Sequence, residues 1–122
     1  ATVAAWDRCD DWLDACVVHL QARRDQLARR LAQELPEVRM FLPEATYLAW
    51  LDFSALDLGC APSAFLFEEA AVAVSDGRDF GADWGNFARL NFATSEAILD
   101  QLIDRIVAAV RKRGTPKGEV AA

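Results

Sequence analysis

The sequence is poor in the residues that break or cross-link a backbone, with six glycines, four prolines and three cysteines among 122 residues. Because 53% of the residues are hydrophobic and 26% are charged, this composition excludes a disordered or low-complexity protein and predicts one globular domain. The cysteines, Cys9, Cys16 and Cys60, are odd in number and form no Cys-x-x-Cys pair, which argues against a disulfide scaffold. We therefore expect a reducing, cytoplasmic compartment.

Long apolar runs and an excess of positive charge are also missing. No run reaches the roughly 18 apolar residues that a membrane span needs, so we expect no membrane insertion. The net charge of −6 argues against nucleic acid or an anionic membrane surface as the partner. Residues 1–5 contain neither Met nor a positive charge, so we expect no signal peptide and interpret this start as lying within a helix.

Lysine and histidine are scarce, which limits the chemistry that the chain can perform by itself. Lys112 and Lys117 are the two lysines, and both lie near the C-terminus. Schiff-base catalysis needs a lysine inside a site that lowers its pKa, so we expect none from this chain alone. His19, the single histidine, lies on one predicted helix with Cys16 and Cys9. A structural zinc ion needs four ligands, so we predict no metal site.

Helical periodicity dominates both ends of the chain. Residues 6–35 contain neither proline nor glycine, which predicts a single long amphipathic helix that Pro36 ends. Its apolar stripe comprises Leu13, Cys16, Leu20, Leu27, Leu31 and Leu35. A second helix is predicted after Thr94 or Ser95, its N-cap, and ends at the cationic turn before Gly114. We expect residues 115–122 to form a flexible tail.

Four β-rich segments lie between these helices, at residues 38–42, 46–52, 72–75 and 87–92, and residues 63–69 favour a short helix. The first two segments flank a proline-containing turn, which predicts antiparallel pairing. The element order is therefore α-β-β-α-β-β-α. It predicts an α+β domain, in which a long N-terminal helix, a short helix and a C-terminal helix cover a small antiparallel or mixed sheet.

One charged residue, Arg89, lies inside an apolar strand pattern. Strand alternation places its side chain on the face shared with Phe87 and Asn91, opposite Leu90 and Phe92. A guanidinium on a rigid strand is suited to binding a carboxylate through two parallel hydrogen bonds. An internal ion pair with one of the nineteen acidic residues would explain the position equally well. Spacing alone leaves both roles open.

Three segments of the chain resemble one enzyme family. They are PEATYLAWLDF at residues 43–53, VSDGRDFG at residues 74–81 and RLNFATS at residues 89–95. Their order and spacing are similar to those of fold-type I, class I/II aminotransferases that depend on pyridoxal phosphate. The first segment most resembles the C–S lyases of the cystathionine β-lyase (MalY/PatB) type. The resemblance covers roughly residues 1–113.

The resemblance implies that residues 1–114 form the C-terminal small domain of such an enzyme, with residues 1–35 as a long linking helix. It implies that Arg89 binds the α-carboxylate of an amino-acid substrate, and so favours one of its two possible roles. The family's cofactor lysine and phosphate ligands belong to a large domain outside this chain. We therefore expect pyridoxal phosphate in the parent enzyme, and no catalytic or cofactor-binding residue in this chain.

The same resemblance implies that the parent enzyme is a homodimer that catalyses C–S β-elimination or amino transfer. This chain alone should be inactive, since the cofactor lysine is absent from it. Two other functions are compatible with the residues. A stand-alone, non-catalytic interaction module would use the long helix as a partner surface. An amino-acid-binding regulatory domain would use Arg89 in the isolated chain.

Overall fold

The computed structural model describes residues 1–114, so the predicted tail at residues 115–122 and Lys117 lie outside the described residues. The helices are α1 (Thr2–Arg8), α2 (Asp10–Glu34), α3 (Pro62–Ala70) and α4 (Glu96–Gly114). The strands are β1 (Arg39–Phe41), β2 (Leu48–Asp52), β3 (Ser75–Asp76) and β4 (Phe87–Asn91). Two short 3-10 helices, Gly77–Phe80 and Ala82–Trp84, connect β3 to β4. The α+β class predicted from the sequence is confirmed.

The prediction of one unbroken helix over residues 6–35 is wrong at its N-terminal end. The backbone leaves helical geometry at Cys9, which has φ −117° and ψ 19° and separates α1 from α2. No residue of α1 is buried, so packing against the core does not hold it in line with α2. Leu13, which the predicted apolar stripe includes, is 53% exposed, whereas Leu27 and Leu31 are buried. Only the C-terminal half of the stripe packs against the core.

The four strands form one antiparallel sheet with the order β1-β2-β4-β3. The predicted antiparallel pairing of the first two segments is confirmed, since β1 pairs with β2 through Met40 opposite Leu51. β2 and β4 occupy the centre and alternate between buried and less buried residues. The predicted strand at residues 72–75 is wrong in position, because β3 comprises Ser75 and Asp76. The N–H of Val72 donates to the carbonyl oxygen of Leu66 and so closes α3 instead of joining the sheet.

The core lies between one face of the sheet and the three longer helices. The central strands contribute Ala49, Leu51, Ala88 and Leu90, all of which are at most 1% exposed. They join a cluster with apolar residues of the helices, namely Leu27, Leu31, Phe65, Leu66, Leu99, Ile103 and Ile106. The structure is therefore a two-layer α+β domain whose sheet turns its other face away from the helices. Among residues 1–114, no helix is long and apolar enough to cross a bilayer.

A charged cluster centred on Arg30 joins α2 to α4. The Arg30 guanidinium donates to Glu34 at 2.6 Å, to Asp104 at 2.7 Å and to Asp100 at 3.1 Å. The hydrogen bond from Arg30 lowers the pKa of Glu34. The pKa of Asp100 is lowered first by the hydrogen bond from Gln26 and then by Arg30. These depressed pKa values mean that the folded chain favours the ionised carboxylates.

The Arg30 cluster makes stability depend on pH. Since the pKa values of Glu34 and Asp100 are lower in the folded chain, the cluster stabilises above the ordinary carboxyl pKa and loses its effect as pH falls. We predict that the free energy of unfolding decreases between about pH 5 and pH 3, and decreases less steeply in an Arg30→Met variant. Chemical denaturation over a pH series measures both slopes.

The matched control is Arg29→Met, since Arg29 is the exposed neighbour of Arg30 on α2. This variant should keep the slope of the unchanged chain. Equal slopes for the Arg30→Met variant and the unchanged chain would contradict the role given to the cluster.

Candidate functional site

Arg89 lies at the centre of the sheet face that points away from the helices. Its Cα is paired with Trp50 of β2 on one side and with Ser75 of β3 on the other. The neighbouring residues Ala88 and Leu90 are buried in the core, so alternation turns Arg89 outward together with Phe87. The orientation predicted for Arg89 from the sequence is confirmed.

The contacts of the Arg89 side chain are with uncharged groups. Its Nη2 donates to the Oγ of Ser75 at 3.3 Å, and its Cζ lies 4.5 Å from the centre of the Phe80 ring. Its Nε is buried and has no hydrogen-bond partner in the described part of the chain. The ion pairs formed by residues 1–114 do not include Arg89. The internal ion pair that the sequence left open is therefore not formed by these residues.

Four aromatic rings surround this position. Trp50 stacks on Phe87 with 5.6 Å between ring centres, and it meets Phe80 and Trp84 edge to face at 5.4 Å and 5.7 Å. Trp84 also meets Phe87 edge to face at 4.9 Å. Offset and edge-to-face contacts at these distances are favourable, so the rings hold one another in place. The cluster fixes an apolar wall beside the Arg89 guanidinium.

The loop that carries Phe80 is fastened to the rest of the domain by Asp76. Its Oδ2 accepts hydrogen bonds from the Oγ of Ser63 on α3 at 2.6 Å and from Nη2 of Arg78 at 2.7 Å. Its Oδ1 accepts from the backbone N–H of Arg78 at 2.8 Å and caps the 3-10 helix. The Arg78 side chain, and after it Ser63, hold the pKa of Asp76 well below its ordinary value. Asp76 therefore stays ionised and joins β3, α3 and the loop.

The other residues considered from the sequence take no part in this site. The Nε2 of His19 lies 2.8 Å from the carbonyl oxygen of Thr94, which joins α2 to the start of α4. Within residues 1–114, no group of three or more His, Cys, Asp or Glu side chains could hold a metal ion. Lys112 is exposed near the end of α4 and pairs with Glu69 at 3.4 Å. The described residues therefore do not fit a covalently bound pyridoxal cofactor.

The sequence pattern singles out Arg89 but not Ser75 and Phe80, the residues that contact it. Ser75 and Phe80 lie within the segment 74–81, where a serine and a Phe-Gly pair mark the family resemblance. Their spacing does not show that the loop returns to β4 and brings the Phe80 ring over the guanidinium. That contact depends on the antiparallel pairing of β3 with β4, which a one-dimensional pattern does not specify.

The comparisons with known proteins identify the relatives of the chain, although no protein-family model matches it. Cystathionine β-lyase PatB of Bacillus subtilis is 34% identical over 111 residues, which are 90% of this chain and 29% of that protein. A pyridoxal-phosphate-bound C–S lyase from Staphylococcus hominis has a TM-score of 0.81 and 30% identity, covering 88% of this chain and 29% of its own. The aspartate aminotransferase from Rhizobium meliloti has a TM-score of 0.76 and 30% identity. The match covers 90% of this chain and 30% of the aminotransferase.

These relatives confirm the family resemblance, since they are cystathionine β-lyases and aminotransferases that match most of this chain in sequence and fold. The chain spans about 29% of the length of the curated relatives that it matches. The matched region is therefore one part of each of these relatives.

We predict that Gly77 is required for the loop beside Arg89. A Cβ at this position would lie 2.1 Å from the carbonyl oxygen of Trp84 and 2.6 Å from that of Phe87. Because both are backbone atoms, Gly77→Ala should force the loop away from β4 and reduce the free energy of unfolding by about 1–3 kcal/mol. Chemical denaturation measures the loss.

Gly85→Ala is the control for this substitution. Gly85 has φ −61° and ψ −21°, which any residue adopts, and the nearest atom to an added Cβ is Arg78 Cγ at 4.0 Å. This variant should lose no stability. If Gly77→Ala were as stable as Gly85→Ala, the close approach would not constrain the loop.

Proposed function

We propose that this chain, a homologue of cystathionine β-lyases and aminotransferases, is the C-terminal small domain of a longer pyridoxal-phosphate-dependent enzyme that acts on amino acids. Arg89 binds the α-carboxylate of the substrate. One observation carries the proposal: the Arg89 guanidinium lies on the outward face of the sheet and forms no ion pair within residues 1–114. Its buried Nε is also left without a hydrogen-bond partner.

A bound carboxylate would complete the interactions of Arg89. A guanidinium stays ionised and presents its donors in a rigid plane that matches the two oxygens of a carboxylate. Hydrogen bonds between charged groups are stronger than those between neutral groups, so the pair fixes the orientation of the ligand as well as capturing it. By holding the carboxylate on a central strand, Arg89 positions the rest of the amino acid for chemistry.

The cofactor itself would be held by residues outside this chain. Lys112 is exposed and paired with Glu69, and it lies on α4 rather than on the outward face of the sheet. Pyridoxal phosphate supplies electron withdrawal from the amino acid when it is bound. The part played by this chain is to bind and orient the carboxylate. That part serves β-elimination and amino transfer equally, and both kinds of enzyme occur among the relatives.

The N-terminal helices supply the contact with the rest of the enzyme. Their apolar side chains are exposed, including Val3, Trp6, Trp12, Leu13, Val17 and Val18. A patch of this kind marks a surface that another polypeptide covers. In the proposed enzyme, the remaining part of the polypeptide or the second subunit of a homodimer covers it. The same patch supports the second candidate, a stand-alone interaction module with no role for Arg89.

Substitution of Arg89 in the longer protein that contains this chain tests the proposal. We predict that Arg89→Gln lowers kcat/KM for an amino-acid substrate about 10-fold to 100-fold, since hydrogen bonds between charged groups are lost. Arg89→Lys keeps the charge but loses the planar pair of donors. Its kcat/KM should therefore lie between the values of the unchanged enzyme and of Arg89→Gln. Steady-state kinetics measures these changes.

The matched control is Arg39→Gln. Arg39 lies on the edge strand β1 of the same sheet, and its Cζ lies 4.6 Å from the Phe41 ring, an arrangement similar to that of Arg89 with Phe80. It should leave kcat/KM nearly unchanged. An Arg89→Gln enzyme with unchanged kcat/KM would defeat the assignment of Arg89 and favour the interaction module.

A further inference from the structure

We propose that Phe80 and Ser75 are positioning residues, which hold the Arg89 guanidinium in place for a carboxylate without neutralising its charge. This inference rests on the proposed function, because it concerns how Arg89 is prepared for its ligand. The two residues approach the guanidinium from different elements. Ser75 lies on the neighbouring strand β3, and Phe80 lies in the 3-10 helix that follows it.

The chemical nature of the two partners distinguishes Arg89 from Arg30 and Arg78, which the protein itself pairs with carboxylates. Arg30 contacts three carboxylates, and Arg78 contacts Asp76 through a double hydrogen bond. Each of these guanidinium groups is neutralised by the protein. The Arg89 guanidinium is held by a hydroxyl oxygen and an aromatic ring, neither of which carries a formal charge. Its positive charge is therefore left for a ligand.

The ring of Phe80 is suited to this task. The negative face of an aromatic ring attracts a cation within about 6 Å of its centre, and the distance here is 4.5 Å. This attraction needs no oxygen acceptor, so it does not compete with a carboxylate for the charge. Phe80 is 46% exposed, so burial alone does not explain its position. Its edge-to-face contact with Trp50 keeps the ring over the guanidinium.

Ser75 restrains the Nη2 atom of the Arg89 guanidinium. Its Oγ accepts from Nη2 of Arg89, and the register of β3 with β4 places the two residues opposite each other. Together, the ring contact and the hydrogen bond limit the rotation of the guanidinium. A side chain that is ordered before binding loses less conformational entropy on binding, so the restraint increases affinity for the carboxylate.

Inhibition of the longer protein by acetate, compared with inhibition by acetamide, tests this inference. Acetate presents the carboxylate alone, whereas acetamide has a similar shape without the charge. We predict that Phe80→Leu raises the acetate inhibition constant about twofold to fivefold, since the apolar volume is kept but the ring is lost. Ser75→Ala should raise the acetate inhibition constant about twofold or more. Ser75→Thr keeps the hydroxyl, so its acetate inhibition constant should equal that of the unchanged enzyme. Inhibition by acetamide should not change.

A matched variant separates this effect from a general loss of aromatic side chains. Phe41 is 43% exposed and lies under Arg39 in the same way, so Phe41→Leu should leave acetate inhibition unchanged. With substrate, Phe80→Leu and Ser75→Ala should raise KM more than they lower kcat, because carboxylate capture is the step affected. An equal rise for acetate and acetamide would show a merely structural role and overturn the inference.

A second measurement observes Arg89 directly by NMR of the longer protein. The shielding face of the Phe80 ring should shift the Hε signal of Arg89 upfield, and Phe80→Leu should remove that shift while Phe41→Leu should not. Loss of the signal in Arg89→Lys assigns it. An unchanged Hε signal in Phe80→Leu would overturn the inference.

Acetate inhibition of the substituted enzymes separates a failure of the proposed function from a failure of this inference. If Arg89→Gln leaves acetate inhibition of the longer protein unchanged, the proposed function fails and the inference fails with it. If Arg89→Gln abolishes acetate inhibition while Phe80→Leu and Ser75→Ala leave it unchanged, the inference alone is overturned.

Discussion

Burial of alternate residues on the two central strands is the constraint on which the rest of the structure depends. Ala49, Leu51, Ala88 and Leu90 all lie in the core and leave the sheet no other register against the helices. Because the side-chain period of a strand is two, Trp50 and Arg89 must lie on the opposite face. A slip of one residue would bring a guanidinium and an indole into the core. The stability of the domain and the position of its candidate binding residue therefore have one cause.

The second feature is the distribution of charge. The chain carries a net charge of −6, and arginines that join structural elements find carboxylates readily. Within residues 1–114, Arg89 on a central strand instead has a hydroxyl and an aromatic ring as its partners. Burial of its Nε without a partner costs stability, which a ligand that accepts from the guanidinium would recover. This arrangement supports the proposal that Arg89 binds a ligand, since residues 1–114 do not supply it with an ion pair.

The sequence predicts the parts of the fold that have strong periodicity. Spacing alone predicts the helices near both ends, the antiparallel pairing of β1 with β2 and the outward orientation of Arg89. The predicted N-cap is also present, since the Oγ of Ser95 accepts a hydrogen bond from the N–H of Ile98. The break at Cys9 is not predicted, because residues 6–35 contain no proline or glycine to mark it, and the core does not reach α1. The shift of β3 to Ser75 was missed because Val72 closes a helix. The contact of Phe80 with Arg89 depends on a loop that returns to the sheet, and no local pattern specifies it.

The central claim is that this chain is one domain of a longer pyridoxal-phosphate enzyme, and the intact mass of the native gene product tests it most directly. The chain has a mass of 13.5 kDa and spans about 29% of the length of its curated relatives. We predict a native product with several times that mass. A native product of 13.5 kDa would contradict the claim, since Lys112 and Lys117 are the only lysines that such a protein would contain.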